Sequence, residues 1–112
     1  MRCFFIILLL VSNISLAQIT DVTFSVDMSN LIISEKGVHL AGDFQDWNPS
    51  SLEMFDTDNN SIYQLTISLE IDSVYEYKFI NGDSWGEDEI IDDECGNGNG
   101  NRLLITSHES TN

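Results

Sequence analysis

Residues 75–86 read YEYKFINGDSWG, and the first half of this stretch alternates between aromatic and charged side chains. A period of two is typical of a β-strand, and it places three aromatic side chains on one face, those of Tyr75, Tyr77 and Phe79. Because that face predicts a core, we expect Lys78 on the opposite face to point outward. The Asn81-Gly82 pair that follows predicts a tight turn, since both residue types tolerate a positive φ angle.

Trp85 follows this turn in a polar loop and directly precedes Gly86. A tryptophan between polar residues and a glycine is poorly placed to join a core. We therefore expect Lys78 and Trp85 to lie close together on a surface that binds a ligand.

The rest of the chain alternates in the same way and shows no convincing helical period. About seven short strands are expected, and the segments with the most regular pattern are residues 20–28, 38–41, 52–54, 62–69, 75–79 and 102–107. In the second of these, Val38 and Leu40 are expected to face the core and His39 to face outward. The pattern predicts an all-β fold, an immunoglobulin-like antiparallel β-sandwich over residues 18–107, followed by a polar tail at residues 108–112.

The first 17 residues have the composition of a secretory signal peptide. Arg2 supplies a positive charge, residues 4–11 are unbroken apolar sequence, and residues 15–17 read SLA, which suits cleavage after Ala17. The apolar run is too short to anchor the chain in a bilayer. A buried N-terminal helix is the alternative, and the lack of an amphipathic period disfavours it. We expect a secreted protein that begins at Gln18.

The chain is strongly acidic, with a formal net charge of −15 at neutral pH. All 19 acidic residues follow residue 17, where only three basic residues remain, so the expected charge after cleavage is −16. This charge disfavours nucleic acid and anionic lipid as partners, because both attract a positive surface. Cys95 is the single cysteine left after cleavage, which excludes an internal disulfide and leaves a free thiol, the favoured alternative, or a bond to another chain.

Motifs for catalysis or metal binding are weak in this sequence. Asp56, Asp58 and Asn60 have the spacing of a calcium loop, but the positions that should hold glycine and glutamate hold other residues, so we interpret them as turn residues. The acidic run at residues 87–94 is interpreted as a solvated loop. No nucleophile motif is present, and a domain this small leaves little room for a deep cleft between two carboxylates. We expect no enzymatic activity, no cofactor and no metal.

Residues 42–49 read GDFQDWNP, and together with residues 75–86 and a last strand that opens at Asn101 they resemble carbohydrate-binding module family 48. That family includes the glycogen-binding domain of the AMP-activated protein kinase β subunit. The shared pattern is a Gly-x-Phe-x-x-Trp loop, a Tyr-x-Tyr-Lys-Phe strand, a turn, a tryptophan and a final strand, and it covers residues 36–106. The resemblance implies an immunoglobulin-like sandwich that binds starch or glycogen.

The resemblance also implies that the sugar-binding residues are Trp47, Lys78, Trp85 and Asn101. The family uses a further apolar side chain a few residues before that asparagine, and residues 97–100 contain none. The residue types suit the task, since indole faces pack on the C–H groups of glucose rings while lysine and asparagine hydrogen-bond to hydroxyl groups. The alternatives are a core position for Trp47 and a surface ion pair for Lys78.

We therefore expect a secreted, non-catalytic carbohydrate-binding module whose partner is an α-glucan such as starch, glycogen or a maltooligosaccharide. The module is expected to stand alone or to form part of a larger secreted protein. The alternative is an immunoglobulin-like spacer or protein-interaction domain that keeps the fold and has lost sugar binding. A small hydrolase is the least favoured function, because no carboxylate pair with catalytic spacing can be recognised.

Overall fold

The structure, a computed structural model, describes residues 5–11, 18–91, 96 and 98–107. Its strands in these ranges are β1 (Phe5–Val11), β2 (Ile19–Asp27), β3 (Val38–Gly42), β4 (Glu53–Met54), β5 (Ile62–Glu70), β6 (Val74–Asn81) and β7 (Arg102–Ile105). A 3-10 helix, Asp43–Gln45, follows β3, and no α-helix occurs in the described part of the chain. The expected all-β class is confirmed.

The strands form two antiparallel sheets, one with the order β1-β2-β5 and the other with the order β4-β3-β6-β7. In the four-stranded sheet, β6 lies between β3 and β7. Ala41 of β3 is opposite Lys78 of β6, and Leu103 of β7 is opposite Glu76. The two sheets form the expected immunoglobulin-like sandwich.

The core lies between the sheets and is built from the inward faces of their strands. Its buried apolar side chains are Val22, Phe24, Val26, Met28, Val38, Leu40, Met54, Leu69, Tyr77, Phe79 and Leu104. Phe24 of one sheet meets the ring of Tyr77 of the other edge-on, with centroids 5.0 Å apart. Removing each large apolar side chain from water contributes about 1.5–3 kcal/mol. The alternation predicted for β6 is therefore confirmed, with Tyr75 half-buried beside the other two aromatic rings.

His39 on β3 departs from the sequence-based expectation, because it is buried rather than outward-facing. β3 is an interior strand of its sheet, paired with β4 on one side and β6 on the other. Nδ1 of His39 lies 2.6 Å from the carbonyl oxygen of Gly82, in the turn that follows β6. The turn covers the imidazole ring. The alternation of β3 predicts which sheet face a side chain lies on, but not whether another segment covers that face.

Glu89 also differs from the sequence-based expectation. It belongs to the acidic run at residues 87–94, which is expected to be a solvated loop, yet its side chain is buried. Its carboxylate accepts two 2.8 Å hydrogen bonds from the guanidinium of Arg102. Oε2 of Glu89 also accepts the backbone N–H of Phe79 at 2.9 Å, and the guanidinium lies 5.3 Å from the centroid of the Phe79 ring. This buried pair ties the segment after Trp85 to β6 and β7. Cys95, which directly follows the acidic run, lies outside the described residues.

Strand β1 falls within the predicted signal peptide. It pairs antiparallel with β2 along its whole length, from Phe5 opposite Val26 to Val11 opposite Thr20. The predicted cleavage site at residues 15–17 and the tail at residues 108–112 lie outside the described residues, so the signal peptide stays a prediction. Within the described ranges, no helix is long and apolar enough to cross a membrane.

Candidate functional site

The two tryptophans of the chain lie side by side at the surface. Their ring centroids are 6.3 Å apart, and the ring planes are inclined to each other by 44°. Trp85 is 47% exposed, and Trp47 is partly buried beside it. Two loops that are distant in sequence thus form one aromatic surface, in which the two ring planes are inclined to each other. The alternative of a core position for Trp47 does not fit this arrangement.

Trp47 is held by a loop that closes on itself between β3 and β4. The side chain of Gln45 accepts the backbone N–H of Gly42 at 2.9 Å and donates to the carbonyl oxygen of Asn48 at 2.6 Å. The backbone N–H of Trp47 donates to the carbonyl oxygen of Gly42 at 3.0 Å. Asp46 and Trp47 have φ angles of 60° and 57°, a left-handed conformation that costs such residues about 1–2 kcal/mol each. The loop therefore holds Trp47 in a strained backbone conformation, which is common at functional sites.

Two residues at the start of this loop, Gly42 and Phe44, allow it to pack closely against the sandwich. A Cβ atom at Gly42 would lie 2.7 Å from the carbonyl oxygen of Glu76, so only glycine allows this close approach. The ring of Phe44 packs against Phe24 and Tyr75, with centroid distances of 5.6 and 5.9 Å. The Gly-x-Phe part of the pattern thus packs the loop against the sandwich, while the tryptophan of the pattern stays at the surface.

Trp85 lies in the loop between β6 and a short returning segment, residues 87–89. An antiparallel bridge joins Asp88 of this segment to Ile80 of β6. Gly86 has a φ angle of 104°, which glycine adopts readily, and its N–H donates to Oδ1 of Asp88 at 3.0 Å. The loop is therefore anchored immediately after Trp85.

Lys78 projects from the outward face of β6, as the alternation predicts. Its Nζ atom lies 2.7 Å from Oδ2 of Asp88, so the surface ion pair considered from the sequence is present. The Lys78 ammonium holds the pKa of Asp88 below its usual range, chiefly through this hydrogen bond. The pair keeps the ammonium group next to the loop that carries Trp85.

Asn101 immediately precedes β7 and bonds across to β6. Its Nδ2 atom donates to Oε1 of Glu76 at 3.1 Å. Glu76 and Lys78 are two residues apart on β6, so their side chains share the outward face. The structure thus places Asn101 on the same face of the sheet as Lys78.

Asp43 connects Trp47 to this face. One of its carboxylate oxygens accepts the indole N–H of Trp47 at 3.1 Å, and the other accepts the backbone N–H of Glu76 at 2.7 Å. Contacts therefore link all four site residues expected from the sequence, and we call them the tryptophan face: Trp47, Lys78, Trp85 and Asn101. Sequence reasoning missed the acids that bond to this face, because 19 acidic residues offered no way to choose among them.

The residues with calcium-loop spacing have another role. The carboxylate of Asp56 accepts the backbone N–H groups of Asn60 and Ser61 at 3.0 and 2.8 Å, which confirms the interpretation as a turn. Across the described ranges, no group of three or more histidine, cysteine or acidic residues could hold a metal ion.

Comparison with known proteins points to one family. The profile of carbohydrate-binding module 48, described as the isoamylase N-terminal domain, matches residues 34–96. A stretch of 62 residues is 42% identical to an amylopullulanase from Thermoanaerobacterium thermosulfurigenes and covers 54% of this chain and 3% of that relative. The chain therefore spans only a small part of the relative's length. No solved structure gives a significant match.

Proposed function

The chain belongs to carbohydrate-binding module family 48, and from this we propose that it is a non-catalytic module that binds α-glucans such as starch, glycogen and maltooligosaccharides. The inclined pair of Trp47 and Trp85 is the observation that carries this proposal. Indole faces pack on the C–H groups of glucose rings, and a tryptophan side chain offers this area with few rotatable bonds to freeze.

The inclination of the two indole rings favours a curved ligand. An α-1,4-linked glucose chain coils, so successive sugar rings present differently tilted faces, whereas a β-1,4-linked chain is a flat ribbon. Two stacking surfaces inclined by 44° suit the coiled chain, since each ring can stack on its own sugar. The amylopullulanase relative is named for pullulan, which is an α-glucan.

Lys78 and Asn101 would supply hydrogen bonds at the edges of the stacked sugars. A lysine ammonium has three N–H donors, and the bond to Asp88 uses one of them. Remaining donors can reach sugar hydroxyl groups, which both donate and accept. Because few sugar rings contact an open surface, we expect a Kd of about micromolar to millimolar.

We also propose that residues 1–17 act as a secretory signal and that residues 18–107 form the module outside the cell. The composition of the N-terminal segment supports this. The relative contains its matching stretch as a small part of a much longer chain, which supports a module that works beside other domains.

Gel retardation tests the proposed function. The purified protein should migrate more slowly in a native gel that contains glycogen or amylopectin. Trp47→Ala and Trp85→Ala should each abolish the shift, because each removes one stacking surface. Phe55→Ala is the matched control, since Phe55 is an exposed aromatic residue outside the tryptophan face and its loss should leave the shift intact.

Circular dichroism of every variant separates loss of binding from loss of fold. If both tryptophan variants are still retarded, the protein binds glucans, but the tryptophan face is rejected as the binding site. A folded wild-type protein without retardation would reject the proposed function.

A second candidate function is contact with a protein partner, and an exposed apolar strip favours it. Val74, Leu103 and Ile105 are 61%, 42% and 65% exposed on the outward face of β6 and β7. Val74 lies directly opposite Ile105 in the sheet. Clustered apolar groups on a surface often mark protein interfaces. A folded protein that binds no glucan would favour this function.

A further inference from the structure

Asp43 is an exposed acidic residue whose two carboxylate oxygens accept hydrogen bonds from different parts of the site. Oδ1 accepts the indole N–H of Trp47 at 3.1 Å, and Oδ2 accepts the backbone N–H of Glu76 at 2.7 Å. The first partner is a side chain that can rotate, whereas the second is the backbone of β6, an interior strand of its sheet. Asp43 therefore fixes the indole of Trp47 relative to a rigid part of the fold.

This bridge restricts the orientation of the Trp47 ring. A tryptophan side chain has two rotatable bonds, and the loop of residues 42–48 sets the position of its backbone. A hydrogen bond at the indole nitrogen also fixes the ring plane, because the N–H points outward in that plane. The same bond occupies the indole N–H, so Trp47 offers its apolar faces to a ligand rather than its polar edge.

We propose that Asp43 is a positioning residue that sets the inclination of Trp47 to Trp85 and thereby the affinity of the tryptophan face for glucans. This inference rests on the proposed function. Asp46 provides a matched comparison in the same loop. It is also exposed and acidic, and among the described residues its carboxylate forms no hydrogen bond.

The test compares Asp43→Asn with Asp46→Asn, because each substitution removes one negative charge from the same loop. The two N–H groups bind different oxygens of Asp43, and in asparagine a donor NH2 group replaces one of these oxygens, so one of the two hydrogen bonds is lost. Isothermal titration with maltoheptaose should give a Kd about five- to tenfold weaker for Asp43→Asn, within the range expected for the net loss of one intramolecular hydrogen bond. The Kd of Asp46→Asn should match that of the wild type.

Two further measurements separate positioning from a merely structural role. In the ligand-free protein, the indole N–H signal of Trp47 in a 1H–15N spectrum should move in Asp43→Asn, while that of Trp85 stays in place. In a Trp47→Phe background, which lacks the indole N–H, Asp43→Asn should cause no further loss of affinity. A merely structural role would weaken binding in both backgrounds.

Unchanged affinity together with an unchanged Trp47 indole signal in Asp43→Asn would overturn the proposal, as would an equal loss of affinity in the Trp47→Phe background. If the wild type binds no maltoheptaose, the proposed function fails, and the indole signal still decides whether Asp43 orients Trp47. If Asp43→Asn does not fold, Asp43→Ser, which keeps one acceptor, takes its place in the same measurements.

Discussion

At the scale of single residues, three of the four side chains of the tryptophan face are bonded to acidic side chains. These pairs are Trp47 with Asp43, Lys78 with Asp88 and Asn101 with Glu76. Groups that already hold one orientation lose less conformational entropy when a ligand binds. Part of the large acidic excess of the chain thus has a local use, which is to orient side chains of the tryptophan face.

Replacement of Lys78 by methionine should raise the pKa of Asp88. In the wild type the Lys78 ammonium lowers this pKa, so the Asp88 carboxylate stays ionised at pH values at which an ordinary aspartate is already protonated. A carboxyl group with a lowered pKa in the folded state stabilises the protein above its unfolded-state pKa, and this contribution is lost as the pH falls through the lowered value. Acidification should therefore break the pair only below the ordinary titration range of aspartate.

A 13C NMR titration of the Asp88 carboxyl measures this directly, in the wild type and in Lys78→Met. The wild-type midpoint should lie at the lower pH. Since the pair is partly exposed, its loss should reduce the free energy of unfolding by about 0–1 kcal/mol. Equal midpoints in the two proteins would contradict the ion pair.

At the scale of secondary structure, β6 links the core to the tryptophan face. Its inward aromatic side chains belong to the core, and its outward side chains contact Asn101 and Asp88. Beyond its last residue the chain continues into the loop of Trp85 and returns along β6 as residues 87–89. The stability of this returning segment therefore decides where Trp85 lies.

Glu89→Ala should destabilise the protein by about 3–5 kcal/mol, because it leaves the buried Arg102 guanidinium without its carboxylate partner. Urea unfolding followed by circular dichroism measures the change. The double variant Glu89→Leu/Arg102→Met should recover part of the lost stability, since packed apolar side chains often replace a buried ion pair at little cost. Recovery should be incomplete, because the backbone N–H of Phe79 loses its acceptor. A wild-type unfolding midpoint for Glu89→Ala would show that the pair does not anchor the segment.

The strands themselves could be predicted well from alternation, as residues 62–69 and 75–79 show against β5 and β6. The errors arose where tertiary contacts override the local pattern. His39 has outward parity, yet the turn at Gly82 covers it. Glu89 lies in an acidic run that looks solvated, and its burial depends on Arg102, thirteen residues further along the chain. Neither contact can be predicted from the residues that neighbour His39 or Glu89 in the sequence.

At the scale of the whole molecule, the sandwich brings together two loops that are separated in the sequence by three strands, β4, β5 and β6. The family resemblance predicts the four residues of the tryptophan face as a binding site, whereas alternation could not predict that the rings of Trp47 and Trp85 lie 6.3 Å apart. The strand count shows a similar limit. About seven strands were expected after residue 17, and the described part of that range has six, while β1 lies within the predicted signal peptide.

The central claim is that the inclined tryptophan pair binds a coiled α-glucan chain. A tryptophan-fluorescence titration tests it most directly, because the chain contains two tryptophans and both belong to the tryptophan face. Maltoheptaose should change the emission of the purified protein in a saturable manner, with a Kd of about micromolar to millimolar, and the flat β-linked cellohexaose should not. An emission that maltoheptaose leaves unchanged, or an equal response to both sugars, would contradict the account.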